Sequence, residues 1–229
     1  MNTFVLLHGA YQGPWIWKLV AATLRSAGHS VYIPCLQGCG ERAASVRADI
    51  TTESQAAEVA EMLRLEDLQH VVLVGTSSGG MVMARVAELQ KARIARLVFA
   101  DALALMDGET IRDFVTAPAA IEGPLAIGPD RDDLINRSFK GIPDDLRDWA
   151  TDRVTLHPRA CFYEPVTLDQ FWSDRWQATV IYCTQAPNPG RAHQQRCAVA
   201  LGARWHEIDT GHYPMLTTPD TLARLIMDG

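Results

Sequence analysis

The ten residues from Val71 to Gly80, Val-Val-Leu-Val-Gly-Thr-Ser-Ser-Gly-Gly, leave few options for the chain around them. The aliphatic run predicts a buried strand, and it passes at once into the spacing Gly75-x-Ser77-x-Gly79 and then a helical pattern. A strand that reverses directly into a helix has no room for side chains two residues before and two after its apex. Glycines there remove the clash, so Ser77 can hold a strained backbone with its hydroxyl pointing out of the sheet. A purely structural turn of the same composition is the bland alternative.

Similar apolar runs predict further strands at 3–8, 30–34, 94–100, 179–184 and 204–209, each short and bounded by turn residues. Helical stretches fall between them at 15–26, 53–65, 78–90, 191–201 and 219–227. This alternation predicts an α/β fold, a mostly parallel doubly wound sheet with helices on both faces. Thr52 with Gln55 three residues on predicts a capping box, and Thr218 before Pro219 predicts a capped helix start. Between Leu103 and Trp176 the rhythm breaks: prolines, glycines and the acidic run 130–133 appear, with no obvious strand. Phe114, Leu134, Trp149 and Phe171 argue that this stretch packs. The reading is a core of residues 1–103 and 177–229 with a small helical cap inserted at 104–176; a long disordered loop is its rival.

Composition narrows the setting. A chain of 229 residues, 48% hydrophobic and 21% charged, suits one enzyme-sized domain. With 21 Lys and Arg against 27 Asp and Glu and no basic block, nucleic acid and anionic membrane are not expected partners. Neither a signal segment nor a membrane span is indicated, so the expected location is cytoplasmic. Cys35, Cys39, Cys161, Cys183 and Cys197 are odd in number and scattered, which fits reduced thiols, and no metal site is expected. Oligomeric state is left open.

A serine hydroxyl needs a base within hydrogen-bond reach, usually histidine. Of seven histidines, His212 follows the last predicted strand in Thr210-Gly211-His212. In a parallel sheet the carboxyl ends of all strands share one edge, so Ser77 and His212 are delivered to the same rim. His8 reads as part of a turn, His193 as a helix residue, and His29, His70, His157 and His206 as strand-end or surface residues. A strand ending in His8-Gly9-Ala10 can turn a backbone N–H inward, so the amides of Ala10 and Ser78 form a candidate oxyanion hole.

These features resemble the α/β-hydrolase superfamily, in the branch of plant methylesterases, hydroxynitrile lyases and small bacterial esterases that attack pyrethroids and carbamates. The resemblance rests on His8 to Trp17, Gly38-Cys39-Gly40-Glu41-Arg42, the serine turn, Ala100-Asp101-Ala102 and Gly211-His212-Tyr213-Pro214-Met215. Glu41 and Arg42 also have a plainer reading as an ion pair within a loop. Lyases of this kind carry threonine at the position of Gly9 and lysine at that of Tyr213, so hydrolysis is favoured. The family places its catalytic carboxylate in the loop after the next-to-last strand, where this chain has Ala186 and no acid. Three readings stay open: Asp101 orients the His212 ring from the fourth strand; Ser77 and His212 act as a dyad; or an aspartate at 186 was deliberately replaced. Asp209 reads as structural.

The resemblance implies a serine hydrolase that cleaves a small hydrophobic ester or carbamate through an acyl- or carbamoyl-enzyme, without a cofactor. Trp15, Trp172 and Trp176 are candidate substrate contacts, or equally ordinary core. A ligand-binding protein with a degraded triad and a lyase are the alternatives.

Overall fold

The computed structural model describes residues 1–115 and 119–228. Among these, the central sheet is six-stranded in the order β2-β1-β3-β4-β8-β9, and every neighbouring pair is parallel. Its strands are β1 (Thr3–Leu7), β2 (Ser30–Tyr32), β3 (Val71–Ser77), β4 (Ile94–Ala102), β8 (Ala178–Cys183) and β9 (Arg204–Ile208). The sheet is sandwiched by helices, as the alternating pattern predicts. On one face α2 (Thr52–Leu65), α3 (Gly79–Leu89) and α7 (Arg191–Leu201) cover Val5, Leu73, Phe99 and Val180. On the other, α1 (Lys18–Ser26) and α9 (Pro219–Asp228) cover Phe4, Leu6, Val74 and Val98. Successive side chains of a strand point to opposite faces, so β1 and β3 supply both cores.

The segment between β4 and β8 differs from its expectation of no strand. It holds a small antiparallel sheet, β5 (Ile121–Glu122), β6 (Ala126–Gly128) and β7 (His157–Pro158). Strands of two or three residues beside Gly123, Pro124 and Pro158 are too short to leave a periodicity. Around them lie α4 (Arg131–Asp133), which continues as a π-helical turn over Leu134–Ser138, then α5 (Asp144–Thr151) and α6 (Ala160–Tyr163). Residues 116–118 of the expected cap lie outside the described residues. α8 (Pro214–Thr217) precedes the last helix.

One helix start is corrected. The capping box of α2 is formed by Thr51 and Ser54, one residue earlier than expected; Gln55 is buried and donates instead to the Gln37 carbonyl. α9 begins at Pro219 directly after Thr218, as expected, and the Thr218 hydroxyl donates back to the Pro214 carbonyl at 3.4 Å. Arg42 pairs not with Glu41 but with Glu58 on α2, through two bonds of 2.7 and 2.9 Å.

α7 grips the chain as it leaves β4. Gln194 donates to the Ala102 carbonyl at 3.0 Å, His193 Nε2 accepts the Ala104 N–H at 2.8 Å, and Arg196 pairs with Glu109 at 2.6 Å. His157, expected near the surface, is buried with Nδ1 3.3 Å from Cys39 Sγ. Burial lowers the pKa of His8 and His193 to about 4 and of His157 to about 3.

These three rings stay neutral in the fold at a pH where the unfolded chain protonates its histidines, near 6.5. Between that value and about 4 the unfolded state binds more protons, so stability rises with pH over this window. Thermal unfolding from pH 7.5 to 4.5 is expected to show Tm falling through the window. His193→Gln should flatten the slope by about one proton, or about 1.4 kcal/mol per pH unit.

Candidate active site

Ser77 closes β3 with φ 49, in the left-handed region, and α3 begins at Gly79. A Cβ on Gly75 would lie 2.8 Å from the Gly79 carbonyl oxygen, and one on Gly79 would lie 2.6 Å from the carbonyl oxygens of both Leu7 and His8. No side chain fits at either position, which is the physical content of the Gly-x-Ser-x-Gly spacing. A left-handed serine costs about 1–3 kcal/mol and persists only where its surroundings enforce it. Here the Leu103 N–H donates to the Ser77 carbonyl at 2.8 Å, tying the apex to the chain leaving β4.

The turn after β1 meets the serine directly. A Cβ on Gly9 would lie 2.5 Å from Ser77 Cβ, so the two turns touch backbone to side chain. The Gly9 N–H donates to Gln12 Oε1 at 2.9 Å. Leu36 N–H donates to His8 Nε2 at 3.1 Å, while His8 Nδ1 lies 3.0 Å from the Gly9 carbonyl oxygen, which fixes a neutral ring with its proton on Nδ1. His8 is thus a brace between the turns after β1 and β2. The N–H groups of Ala10 and Ser78 donate to no carbonyl in the described turns and caps. Ala10 lines the same cavity as Ser77; Ser78 is buried behind it.

Asp101 owes its position to an irregularity. In the register of β3 against β4, Thr76 opposes Ala100 and Ser77 opposes Ala102, so Asp101 is the extra residue of a bulge, with φ 47. Bulges turn a side chain out of the alternating order and recur beside functional sites. The Asp101 carboxylate accepts the Cys183 N–H at 3.2 Å through Oδ1 and lies 2.6 Å from His212 Nδ1 through Oδ2. It is fully buried, and burial raises its pKa, opposed by the His212 hydrogen bond and the Cys183 amide. With Nδ1 engaged by the carboxylate, Nε2 is the ring nitrogen left to act as base.

A cavity of about 480 Å³ opens over this rim and is lined by Ser77, His212, Ala10, Tyr11 and Gln12. Ser77 and His212, 135 positions apart in sequence, therefore share one cavity, as the parallel topology predicts. Ala186 is buried, its N–H donating to the Cys183 carbonyl, and its loop carries no acid. Asp209, just past β9, is exposed and accepts from the Thr184 hydroxyl and the Gln185 amide at 2.9 Å each, so it fastens the loop after β8. No cluster of three or more metal-ligating side chains occurs among the described residues.

The three tryptophans are placed elsewhere. Trp15 packs edge-on against Trp149, the Trp172 N–H donates to the Leu105 carbonyl at 3.0 Å, and Trp176 stacks on Phe171 with its N–H on the Phe171 carbonyl at 2.9 Å. None lines the cavity; their indoles are held by packing and by backbone acceptors. The residues that do line it include Tyr213 and Tyr11 stacked on Phe162, together with Arg112, Arg137 and Lys140, three cations that the sequence reading did not single out. Tyr11 carries the one available sign, since it follows a His-Gly turn and has φ 67.

Comparison with known proteins agrees with this geometry. The alpha/beta hydrolase family matches residues 4–225. A carbendazim hydrolyzing esterase of Nocardioides sp. (strain SG-4G) is 30% identical over 97% of this chain and 97% of its own. An alpha-hydroxynitrile lyase of Arabidopsis thaliana is 38% identical over 100 residues, 43% of this chain and 39% of that protein. Among solved structures, an extracellular alpha/beta-hydrolase from a Paenibacillus species superposes with a TM-score of 0.81 at 25% identity, covering 100% of this chain and 98% of that one.

Because burial raises the Asp101 pKa, the fold holds that proton more tightly than the unfolded chain does, and stability falls as pH rises above the ordinary carboxylate range. Asp101→Asn keeps a hydrogen-bonding group without the buried charge. It is expected to raise Tm at pH 8 by about 2–4 °C, a gain that shrinks as the pH is lowered; a Tm loss at pH 8 would contradict this.

Proposed function

This chain belongs to the alpha/beta hydrolase family, and on that premise we propose that it cleaves a small hydrophobic carboxylic ester or carbamate through a covalent intermediate on Ser77. The observation that carries the reading is the pairing of buried Asp101 with His212 Nδ1 at 2.6 Å, in a cavity that His212 and Ser77 both line. The family match and the esterase relative make this a hydrolytic enzyme.

In the proposed cycle, His212 Nε2 takes the Ser77 proton as Oγ attacks the substrate carbonyl carbon. The amides of Ala10 and Ser78 donate to the oxyanion, which exists only in the tetrahedral state and so lowers the barrier rather than merely holding substrate. Nε2 then returns the proton to the departing alcohol or amine. Water, deprotonated by the same nitrogen, releases the acid and restores Ser77. Asp101 holds the ring in the tautomer that bares Nε2 and stabilises the imidazolium when it forms. No cofactor enters any step.

Asp101, rather than an acid at 186, is the orienting carboxylate in this reading, and the segment 104–176 is the cap that closes the cavity. Apolar lining from Leu103, Ile127, Phe162 and Pro189 suits a small hydrophobic group. A lyase is disfavoured on local grounds. A Cβ at position 9 would collide with Ser77, and Tyr213, whose pKa burial raises to about 12, supplies no charge where a lysine would stand. No helix of the described residues is long and apolar enough to cross a membrane.

A fluorophosphonate probe should label the native protein and leave Ser77→Ala unlabelled. On p-nitrophenyl esters and aryl carbamates, Asp101→Asn is expected to lower kcat by about 10²–10⁴, because asparagine favours the wrong tautomer of His212. Asp209→Asn should stay within about twofold, as an exposed residue that does not line the cavity and whose amide oxygen can still accept from Thr184 and Gln185. Ala186→Asp should bring no gain, since Nδ1 already has its carboxylate. Equal, small losses for the two asparagine variants would point to a dyad instead.

A further inference from the structure

The cavity is one-sided in charge. Its described lining contains Arg112, Arg137 and Lys140 but no aspartate or glutamate, in a chain of formal charge −6. All three cations come from the segment between β4 and β8, opposite in sequence to the turns that carry Ser77 and His212. Arg112 is half-buried, its guanidinium 5.7 Å from the centroid of the Tyr163 ring. Arg137 is exposed and pairs with Asp133 at 3.3 Å, four residues back. Lys140 is exposed at the same mouth. Asp144, four residues after Lys140, pairs with Arg147 at 2.9 Å, and Asp130 accepts the Asp133 N–H at 2.8 Å.

The charge of these groups is felt inside. Burial raises the pKa of the Tyr11 phenol, and Arg112 and Arg137 oppose that rise; Tyr11 lines the cavity together with Ala10 and Ser77. Between apolar walls such a field is screened less than on an open surface, where charges lose sight of one another beyond about 8–10 Å. A wholly apolar substrate would make no use of it.

We propose that the cavity selects substrates bearing a carboxylate remote from the scissile carbonyl, such as the half-ester of a dicarboxylic acid. Arg137 and Lys140 engage that carboxylate at the mouth, while the ester reaches Ser77 across the apolar middle. This deepens the ester-hydrolase reading above and rests on it. The chemistry at the ester is unchanged: water is consumed, and an alcohol and a dicarboxylic acid are released.

The test compares mono-p-nitrophenyl adipate with p-nitrophenyl hexanoate, acyl chains of equal carbon number that differ in a terminal carboxylate. At low ionic strength the anionic ester is expected to have a kcat/KM higher by about tenfold, an advantage lost near 1 M salt. In the double variant Arg137→Glu, Lys140→Glu, the ratio of anionic to neutral kcat/KM should fall at least about tenfold. Asp133→Asn, which releases Arg137 from its partner, should move the ratio the other way, a change of sign that general damage to the fold does not produce.

A ratio indifferent to salt and to both variants overturns the proposal while leaving the esterase reading intact. If neither ester is cleaved and no fluorophosphonate label forms, the esterase reading has failed. The carboxylate site is then judged by calorimetric titration of adipate. Salt-sensitive binding abolished in the double variant sustains it, and no binding ends it.

Discussion

At the carboxyl edge of the sheet the turns that follow β1, β3 and β4 lie so close that backbone meets backbone. A Cβ on Gly79 would press on the carbonyls of Leu7 and His8, one on Gly80 would lie 2.3 Å from the Leu103 carbonyl, and one on Gly9 would strike Ser77. Three adjacent parallel strands can end in such contact only if these positions carry no side chain. What results is rigidity: Ser77, Asp101 and Tyr11 all hold left-handed backbone angles that an isolated turn would abandon. The central strands, buried on both faces, supply the cohesion that keeps these strained residues in place.

Electrostatics follow from the same tight packing. The site keeps the fully buried Asp101 carboxylate, and the chain nearby keeps His8, His157 and His193 neutral by burial. Each of these groups is less stable in its charged form than it would be in water. The fold thus works against acid, which charges these three histidines, while Asp101, paired with His212 Nδ1, contributes less stability at neutral pH than below the ordinary carboxylate range. A site of this kind draws on stability contributed elsewhere, above all by the aliphatic layers on either side of β3 and β4.

Much of this was legible in the sequence, for identifiable reasons. Long apolar runs and helical stretches are strong signals, so the parallel sheet and its rim could be read, and with them the placing of Ser77 and His212 on one cavity. The glycines of the serine turn announced their own steric cause. The acid was harder. Asp101 projects toward His212 because of a bulge in β4, and a single extra residue in a strand leaves no mark on composition or period. The tryptophans misled because an indole serves a core as well as it serves a pocket; only the backbone carbonyls that take up the N–H of Trp172 and Trp176 decide between the two. The cations at the mouth went unnoticed because Arg112, Arg137 and Lys140 are spread over a stretch with weak periodicity, and only its folded path gathers them.

That the carboxylate paired with His212 sits on β4 has a consequence for the rest of the rim. The loop after β8, from Gln185 to Pro189, walls the cavity but carries none of the groups that move protons. It is fastened at its base by Asp209 and by the Gln185 and Ala186 amides, which leaves the stretch from Pro187 onward the part most open to change. Selection acting on this stretch would reshape the entrance for new molecules while leaving the Asp101–His212 pair and the serine turn beneath as they are.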